Sequence, residues 1–341
     1  MQYQSQNKVC CFGELLLRFS PVMQGGFIKD ALMPVFIGGA ELNAATALAN
    51  WNIPVKYITA LPDNELAQEI TAYIAGKNID TSSIHFSGER IGSYFLPQGT
   101  DLKNNAVIYD RNYSSFSNLL PGDIDWNKIL ADVSWFHFSA ISPALNENAA
   151  AVCMEAVKAA SEKGITISVD LNYRAKLWQY GKQPIEVMPG LIEYCDVIMG
   201  NIWSAEKLAG IDLSNGFDPM SGNTEQYLQE AELSAKKMFQ RFSKASSAAN
   251  TFRFDEGEGI KYFATLHQAD NDVHSSVYRA ERIMDKIGSG DCFMAGLISG
   301  LIRNYEPQTV IDFAAAAAFT KLQQKGDATT STIADVEKNI K

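Results

Sequence analysis

Residues 285–291 have the sequence Asp285-Lys286-Ile287-Gly288-Ser289-Gly290-Asp291, and an apolar run of mostly small residues from Cys292 to Ile302 follows directly. Glycine lets a backbone turn tightly and approach a ligand closely, and the run after it has helical periodicity. The segment therefore predicts a glycine loop that leads into the N-terminus of a helix. Unpaired N–H groups and the positive dipole end at such a terminus favour an anion, for example a phosphoryl group.

Asp291 falls in the first turn of this predicted helix. A carboxylate beside an anion site can take a proton from a substrate hydroxyl, while the amides of Gly288, Ser289 and Gly290 stabilise charge on a transferring phosphoryl group. The alternative is an ordinary turn in which Asp291 only favours the helix dipole. Both interpretations stay open when the heptapeptide is considered alone, because short glycine motifs often match by chance.

The heptapeptide resembles the second signature of the ribokinase/pfkB-type carbohydrate kinases, Asp-Thr-x-Gly-Ala-Gly-Asp, with Lys286 in place of Thr and Ser289 in place of Ala. An earlier glycine pair, Gly38-Gly39, precedes Asn43 and an alanine-rich helix, and it resembles the first signature of the same family. The resemblance implies that Gly38, Gly39 and Asn43 bind the sugar, since polar groups and exposed backbone suit sugar hydroxyls. The alternative is a pair of packing glycines before a core helix.

Composition excludes several classes of partner. The chain has 341 residues, 46% of them hydrophobic, with a formal net charge of −10 and no basic block, which argues against nucleic acid and anionic membranes. No apolar stretch is long enough for a membrane span, and the polar start at Met1–Lys8 is unlike a signal peptide, so we expect a cytoplasmic protein. The five cysteines have no metal-ligand spacing and are expected to be reduced core residues.

Most of the chain alternates predicted strands and helices. Examples are strands at Ile165–Asp170 and Val197–Gly200, a helix at Glu225–Phe242, and strands at Ser246–Phe252 and Tyr262–Leu266. This alternation predicts a mainly parallel sheet covered on both faces, with ligands at the carboxyl ends of its strands.

A hairpin with strands at Ile91–Leu96 and Ala106–Tyr109, around a polar turn at 99–105, interrupts this alternation. With Leu15–Phe19 it predicts a small second sheet. The resemblance implies a ribokinase-like three-layer α/β/α fold and a single kinase domain over 1–341. In that fold a β lid, here formed by about 14–37 and 88–112, closes over the substrate and excludes water.

Four segments together resemble one branch of the family, the 2-keto-3-deoxygluconate kinases: 13–21 (GELLLRFSP), 38–43 (GGAELN), 109–111 (YDR) and 170–174 (DLNYR). The substrate in that branch is a sugar acid, and the arginine fork matches a carboxylate. The resemblance implies that Arg111 and Arg174 hold the carboxylate end and that Tyr94 and Tyr109 flank the sugar. The alternative for each arginine is a surface or ion-pairing role.

The nucleotide side of the resemblance is less regular. The family's Asn-x-x-Glu motif, which helps to organise magnesium, keeps Asn201 here but has its Glu displaced by two residues to Glu206. The resemblance implies ATP contacts from Asn201, Thr251, Arg253 and Gly326, together with the Gly288 and Gly290 amides. Mg²⁺ is expected at Glu206 or mainly on phosphates and water. The chain has no Gly-x-x-x-x-Gly-Lys-Ser/Thr loop, so it is not a P-loop kinase.

These observations predict an ATP- and Mg²⁺-dependent kinase that phosphorylates the 6-hydroxyl of 2-keto-3-deoxy-D-gluconate. Two alternatives stay open: a pfkB-type kinase of another sugar, such as fructose, ribose or a different keto-acid sugar, and a non-catalytic sugar- or nucleotide-binding regulator on the same fold. The expected partners are a small sugar acid and ATP. Exposed edges of the small sheet also favour a homodimer or higher homo-oligomer.

Overall fold

The computed structural model describes residues 7–21, 33–97, 107–218 and 222–341. The strands are β1 (Lys8–Phe12), β2 (Leu16–Phe19), β3 (Val35–Gly38), β4 (Val55–Ile58), β5 (Ala60–Leu61), β6 (Ile79–Asp80), β7 (His85–Phe86), β8 (Gly92–Phe95), β9 (Ile108–Asp110), β10 (Val133–Ser139), β11 (Thr166–Asp170), β12 (Val197–Gly200), β13 (Ser247–Glu256), β14 (Gly259–Gln268), β15 (Asn271–His274) and β16 (Tyr278–Ala280). The helices are α1 (Ala40–Asn50), α2 (Glu65–Ala75), α3 (Trp126–Ile129), α4 (Glu147–Glu162), α5 (Pro184–Ile192), α6 (Ile202–Ala209), α7 (Thr224–Arg241), α8 (Ser289–Ile302), α9 (Pro307–Leu322) and α10 (Ile333–Glu337).

The larger sheet is mainly parallel, as the alternation of strands and helices predicts. Its order is β15-β14-β13-β12-β11-β10-β1-β4-β6, with β16 also paired to β14. All pairs from β13 to β6 are parallel, and the pairs made by β14 are antiparallel. The strands predicted at 246–252 and 262–266 extend into one long hairpin, because Gly257, at φ +63°, supplies the left-handed residue of its turn.

Successive residues of β1 show how the sheet is covered on both faces. Cys11 packs into the core under α1, α8 and α9, whereas Cys10 and Phe12 pack into the core under α4 and α5. Because alternate side chains of a strand point to opposite faces, a strand buried on both faces is apolar throughout. The three-layer α/β/α arrangement is therefore confirmed. All five cysteines are buried and unpaired, which agrees with their expected place in the core.

The smaller sheet has the order β3-β2-β8-β9. Its strands β2 and β8 are parallel, and the two outer pairs are antiparallel. This is the small separate sheet expected from the hairpin and the segment before it. The predicted turn at 99–105 and the middle of the first lid segment lie outside the described residues, so the lid bounds and the single-domain extent stay predictions.

Helices α8 and α9 pack closely because α8 carries glycines at the contact. A Cβ placed on Gly296 would lie 2.6 Å from the Cα of Ala314, and one on Gly300 would lie 3.0 Å from the side chain of Val310. Such close packing fixes α8, and with it the helix N-terminus that faces the functional site. No helix in the described ranges is long and apolar enough to cross a membrane.

Gly296→Ala should destabilise the protein, because the new methyl group meets the backbone of α9 rather than a movable side chain. We expect the free energy of unfolding to fall by roughly 1–3 kcal/mol, measured by urea denaturation. The matched control is Gly190→Ala in α5, where a Cβ makes only a 3.5 Å contact with the terminal methyl of Met154. That change should be neutral or stabilise by up to about 1 kcal/mol, and equal losses in both variants would contradict the packing argument.

Candidate functional site

One pocket opens at the carboxyl ends of the parallel strands, between the large sheet, the small sheet and the N-termini of α1 and α8. Many predicted site residues from distant parts of the sequence line it together. These are Gly39, Asn43, Tyr94, Tyr109, Arg111, Arg174, Asn201, Thr251, Arg253, Gly288, Ser289, Gly290 and Asp291. The predicted residues Gly38, Glu206 and Gly326 are not part of its lining.

Gly288 begins the turn that was predicted to bind an anion. It is the N-cap of α8 and has a left-handed backbone, φ +78°. A Cβ at this position would lie 1.7 Å from the carbonyl oxygen of Asp327, so only glycine fits. The first N–H groups of α8 have no partner within the helix, and they face the pocket beside the positive end of the helix dipole.

Asp291 lies in the first turn of α8 with its carboxylate held in place. The side-chain amide of Asn43, from α1, donates a hydrogen bond of 2.7 Å to Oδ2 of Asp291. Burial raises the pKa of Asp291 to about 7, although the hydrogen bond from Asn43 opposes the rise. A carboxylate with a pKa near neutral pH is well matched to accept a proton from a substrate hydroxyl.

The two predicted arginines differ in their partners. Arg111 is buried, and its guanidinium pairs with the carboxylate of Glu14 at 2.5 and 2.6 Å. Glu14 also accepts a hydrogen bond of 2.5 Å from the hydroxyl of Ser114. The charge of Arg111 is therefore already neutralised within the protein, which favours the ion-pairing alternative for this residue.

Arg174 has no carboxylate within salt-bridge distance among the described residues. Its Nη1 donates to the backbone carbonyl of Tyr173 at 3.0 Å, and its buried Nε has no hydrogen-bond partner in that part of the chain. Arg174 follows the end of β11 and lines the pocket. It is thus the predicted arginine whose charge is available to an anionic ligand.

The small sheet is tied to the loop before α8 by a buried ion-pair group that sequence reasoning missed. Arg18 of β2 lies 2.7 Å from the carboxylates of both Asp285 and Asp327. The hydroxyl of Tyr94, on β8, donates to Asp327 at 3.0 Å, and its ring lies 6.2 Å from that of Tyr109. Arg18 lies in the segment 13–21 and Asp285 in the segment 285–291, but no sequence pattern indicates an ion pair between residues that are more than 260 positions apart.

On the side of the pocket that was predicted to bind the nucleotide, Arg253 contacts the loop before α8. Its Nη1 donates at 3.2 Å to the carbonyl of Lys286 and to the hydroxyl of Ser289. Asn201 caps α6, because its Oδ1 accepts a 2.8 Å hydrogen bond from the amide of Ser204. Thr251 and Arg253 both come from β13 and face this end of the pocket.

The structure places the remaining predicted residues in other roles. Glu206 lies on α6 outside the pocket lining, 3.2 Å from the ammonium of Lys207, so its geometry gives no support to a magnesium role. The amide of Gly326 donates to Asp285 at 3.2 Å, and a Cβ on Gly38 would lie 2.3 Å from the carboxylate of Asp327. Both glycines therefore lie against Asp285 or Asp327 and do not line the pocket themselves.

Metal ligands are sparse in this site. No group of three or more His, Cys, Asp or Glu side chains is placed to hold a metal ion within the described ranges. The donor set therefore fits a magnesium ion that arrives on nucleotide phosphates and keeps its water ligands, as magnesium commonly does. It does not fit an ion held by protein side chains alone.

The fold and the pocket define an α/β phosphotransferase of the ribokinase type. A sequence profile of the pfkB family carbohydrate kinases matches residues 6–334. The chain belongs to the pfkB family of carbohydrate kinases.

Comparison with individual relatives agrees with this assignment. The chain is 33% identical to the 2-dehydro-3-deoxygluconokinase of Thermotoga maritima, whose crystal structure matches with a TM-score of 0.87 over 97% of this chain and 98% of that one. It is 25% identical to the 2-dehydro-3-deoxygalactonokinase of Haloferax volcanii, over 97% of this chain and 95% of that protein. A ribokinase II candidate of E. coli, solved with ATP and Mg²⁺, shares the fold at 19% identity, with a TM-score of 0.76 over 98% and 99% of the two chains.

Asp291→Asn should stabilise the folded protein at neutral and alkaline pH. Between about pH 4 and pH 7 the folded state keeps a proton on Asp291 that the unfolded state has lost, because burial raises the pKa of this residue. The folded state therefore loses stability as pH rises through this range. The variant should gain stability over the wild type across that range, reaching roughly 1–4 kcal/mol above pH 7 and staying level there. Urea denaturation at pH 4, 6 and 8 measures this gain.

The matched control is Asp270→Asn at an exposed position outside the pocket, which measures any general effect of replacing an aspartate by asparagine. An Asp291→Asn gain that is the same at pH 4 and pH 8 would show that burial does not raise the pKa of Asp291.

Proposed function

We propose that this protein is an ATP-dependent sugar-acid kinase that transfers the γ-phosphoryl group to the 6-hydroxyl of 2-keto-3-deoxy-D-gluconate. The observation that carries the proposal is the pairing, in one pocket, of Asp291 at the N-terminus of α8 with Arg174, which has no carboxylate partner among the described residues. The first supplies a base beside an anion site. The second supplies a positive charge for an acidic substrate.

The sugar acid binds with its carboxylate toward Arg174 and its terminal hydroxyl toward Asp291. Asn43 fixes one carboxylate oxygen of Asp291, which orients the base toward the hydroxyl. Asp291 accepts the hydroxyl proton as the oxygen attacks phosphorus, and catalysis comes mainly from position and charge stabilisation. Tyr94 and Tyr109 provide the apolar faces that flank the sugar.

The transferring phosphoryl group lies at the amides of Gly288, Ser289 and Gly290. Arg253 reaches the same loop and adds positive charge near the nucleotide phosphates. When bound with the nucleotide, Mg²⁺ neutralises charge on the phosphates. Asn201 and Thr251 form the neighbouring wall on the nucleotide side.

The small sheet acts as the lid of this site. Arg18 and Tyr94 connect it to Asp327 beside the phosphoryl site, so the cover over the sugar rests on the same residue that packs against Gly288. Exclusion of water there limits hydrolysis of ATP without phosphoryl transfer to the sugar.

We also propose a cytoplasmic homo-oligomer that pairs through the edges of this sheet.

The choice of sugar acid rests on the arginine and on the relatives. The Thermotoga relative is named for 2-dehydro-3-deoxygluconate, which is the same compound as 2-keto-3-deoxygluconate. The Haloferax relative is named for the epimer of this compound that is derived from galactonate. The two compounds differ in the orientation of one hydroxyl. A neutral sugar such as fructose or ribose would leave Arg174 without an anionic partner.

The direct test is release of ADP by the purified protein with ATP and Mg²⁺. We expect turnover of 2-keto-3-deoxygluconate to exceed that of gluconate, fructose and ribose at equal concentration, and the same assay with the galactonate epimer measures the preference between the two sugar acids. Asp291→Asn should lower kcat by about 10²–10⁴ while sugar-acid binding stays measurable by calorimetry. Preference for a neutral sugar would refute the acid substrate, and full activity of Asp291→Asn would remove this residue as the base.

Arg174→Ala should weaken the sugar acid selectively. Loss of a charge-assisted hydrogen bond is worth about 1.5–3 kcal/mol, so KM should rise about 10- to 100-fold with a much smaller change in kcat. The matched control is Arg282→Ala, an exposed arginine outside the pocket that should leave KM unchanged.

Arg111→Ala should behave differently from Arg174→Ala, because it strands the buried carboxylate of Glu14. The expected result is a loss of stability of roughly 3–5 kcal/mol.

For the substrate role of Arg174, an unchanged KM in Arg174→Ala would show that Arg174 does not bind the substrate.

A further inference from the structure

A second buried carboxylate, Asp170, lies in the same pocket as Asp291. It is the last residue of β11, at the carboxyl edge of the large sheet, and it is 7% exposed. Its carboxylate takes part in none of the hydrogen bonds and ion pairs of the described residues, and its oxygens are not fully enclosed, so they are open to the pocket. Because a buried polar group without a partner is costly, an unpartnered carboxylate in a substrate pocket indicates a partner on the ligand.

The charged groups that face Asp170 disfavour its ionised form. Asp291 faces it from α8 and Glu41 from α1, whereas Arg174 faces it from the loop after β11. Burial raises the pKa of Asp170 well above its ordinary value, and the two neighbouring acids act in the same direction while Arg174 opposes them. On the neighbouring strand, Ser139 lies opposite Asp170 and adds no charge, because its side chain is a neutral hydroxyl. This hydroxyl donates a hydrogen bond of 2.6 Å to Glu41.

We propose that Asp170 is a substrate-binding residue that donates a hydrogen bond, as the neutral acid, to an oxygen at the keto-carboxylate end of the sugar acid. This inference rests on the proposed function. A neutral carboxylic acid has one O–H donor, whereas a carboxylate has none. An ionised Asp170 beside an ionised Asp291 would repel an anionic substrate, and Arg174 alone would have to offset both charges.

The arrangement therefore gives the acid end of the substrate two different contacts. Arg174 supplies the positive charge, and Asp170 supplies a neutral donor that adds no charge to the pocket. Neutral Asp170 also leaves Asp291 as the ionisable carboxylate that takes the proton. The division of the two acids follows the general rule that neighbouring carboxylates with different environments take different roles.

The test compares Asp170→Asn and Asp170→Ala with the wild type, using 2-keto-3-deoxygluconate at pH 7 with saturating ATP and Mg²⁺. Asn keeps a donor without a charge, so KM should stay within about threefold of the wild-type value. Ala loses the donor, so KM should rise about tenfold, with a smaller fall in kcat.

Two results would overturn the proposal. An unchanged KM in Asp170→Ala would show that the side chain does not contact the substrate. A KM that falls tenfold or more in Asp170→Asn would show that Asp170 is ionised in the complex and repels the acid. Asp170→Leu, which keeps the approximate shape of the side chain, replaces the Ala variant if that variant does not fold, and it should show the same rise in KM.

The control for a merely structural effect is Ser168→Ala on the same strand, since Ser168 is buried and its hydroxyl accepts a hydrogen bond from Trp135 at 2.8 Å. It should lower the thermal midpoint without changing KM. The wild-type enzyme separates the two proposals. Absence of sugar-acid turnover in the wild type refutes the proposed function, whereas normal wild-type turnover with either overturning result refutes only the role of Asp170.

Discussion

The structure of the site depends on the close approach of Asp327 to Gly288. The carbonyl oxygen of Asp327 occupies the space that a side chain at Gly288 would need, so the backbone before α8 can take its left-handed turn only with glycine. The carboxylate of the same residue contacts Arg18 and Tyr94 of the small sheet. One residue thus fixes the turn before α8 on one side and the small sheet on the other. Displacement of Asp327 would therefore disturb both halves of the site together.

The arginines in and behind the pocket fall into two groups, those paired with a carboxylate of the protein and one without such a pair. Arg18 and Arg111 are buried against carboxylates, and this pairing offsets the cost of removing them from water. Arg174 has no such carboxylate among the described residues, so its charge remains for a ligand. An arginine that lines a pocket does not by itself indicate an acidic substrate. The absence of an internal partner is the informative property.

Burial gives the acids of the pocket their chemistry and also weakens the fold. A carboxylate removed from water holds its proton more tightly, which brings the pKa of Asp291 close to neutral pH and that of Asp170 well above its ordinary value. The same desolvation destabilises the folded state when these groups ionise. Reduced stability at such positions is common in functional sites of proteins. The tightly packed contact of α8 with α9 holds the helix that carries Asp291 in place.

The sequence by itself determined the α/β class, the mainly parallel sheet, the small second sheet, and the local motifs around Gly288 and Asn43. These features depend on periodicity, glycine and helix propensity, which act over short stretches of chain. Only the tertiary structure decided that Arg111 is paired with Glu14, that Arg174 is not paired with a carboxylate within the described ranges, and that Glu206 lies outside the pocket lining. Pairing and burial depend on residues brought together from distant positions, and they determine the charge that each side chain presents to a ligand.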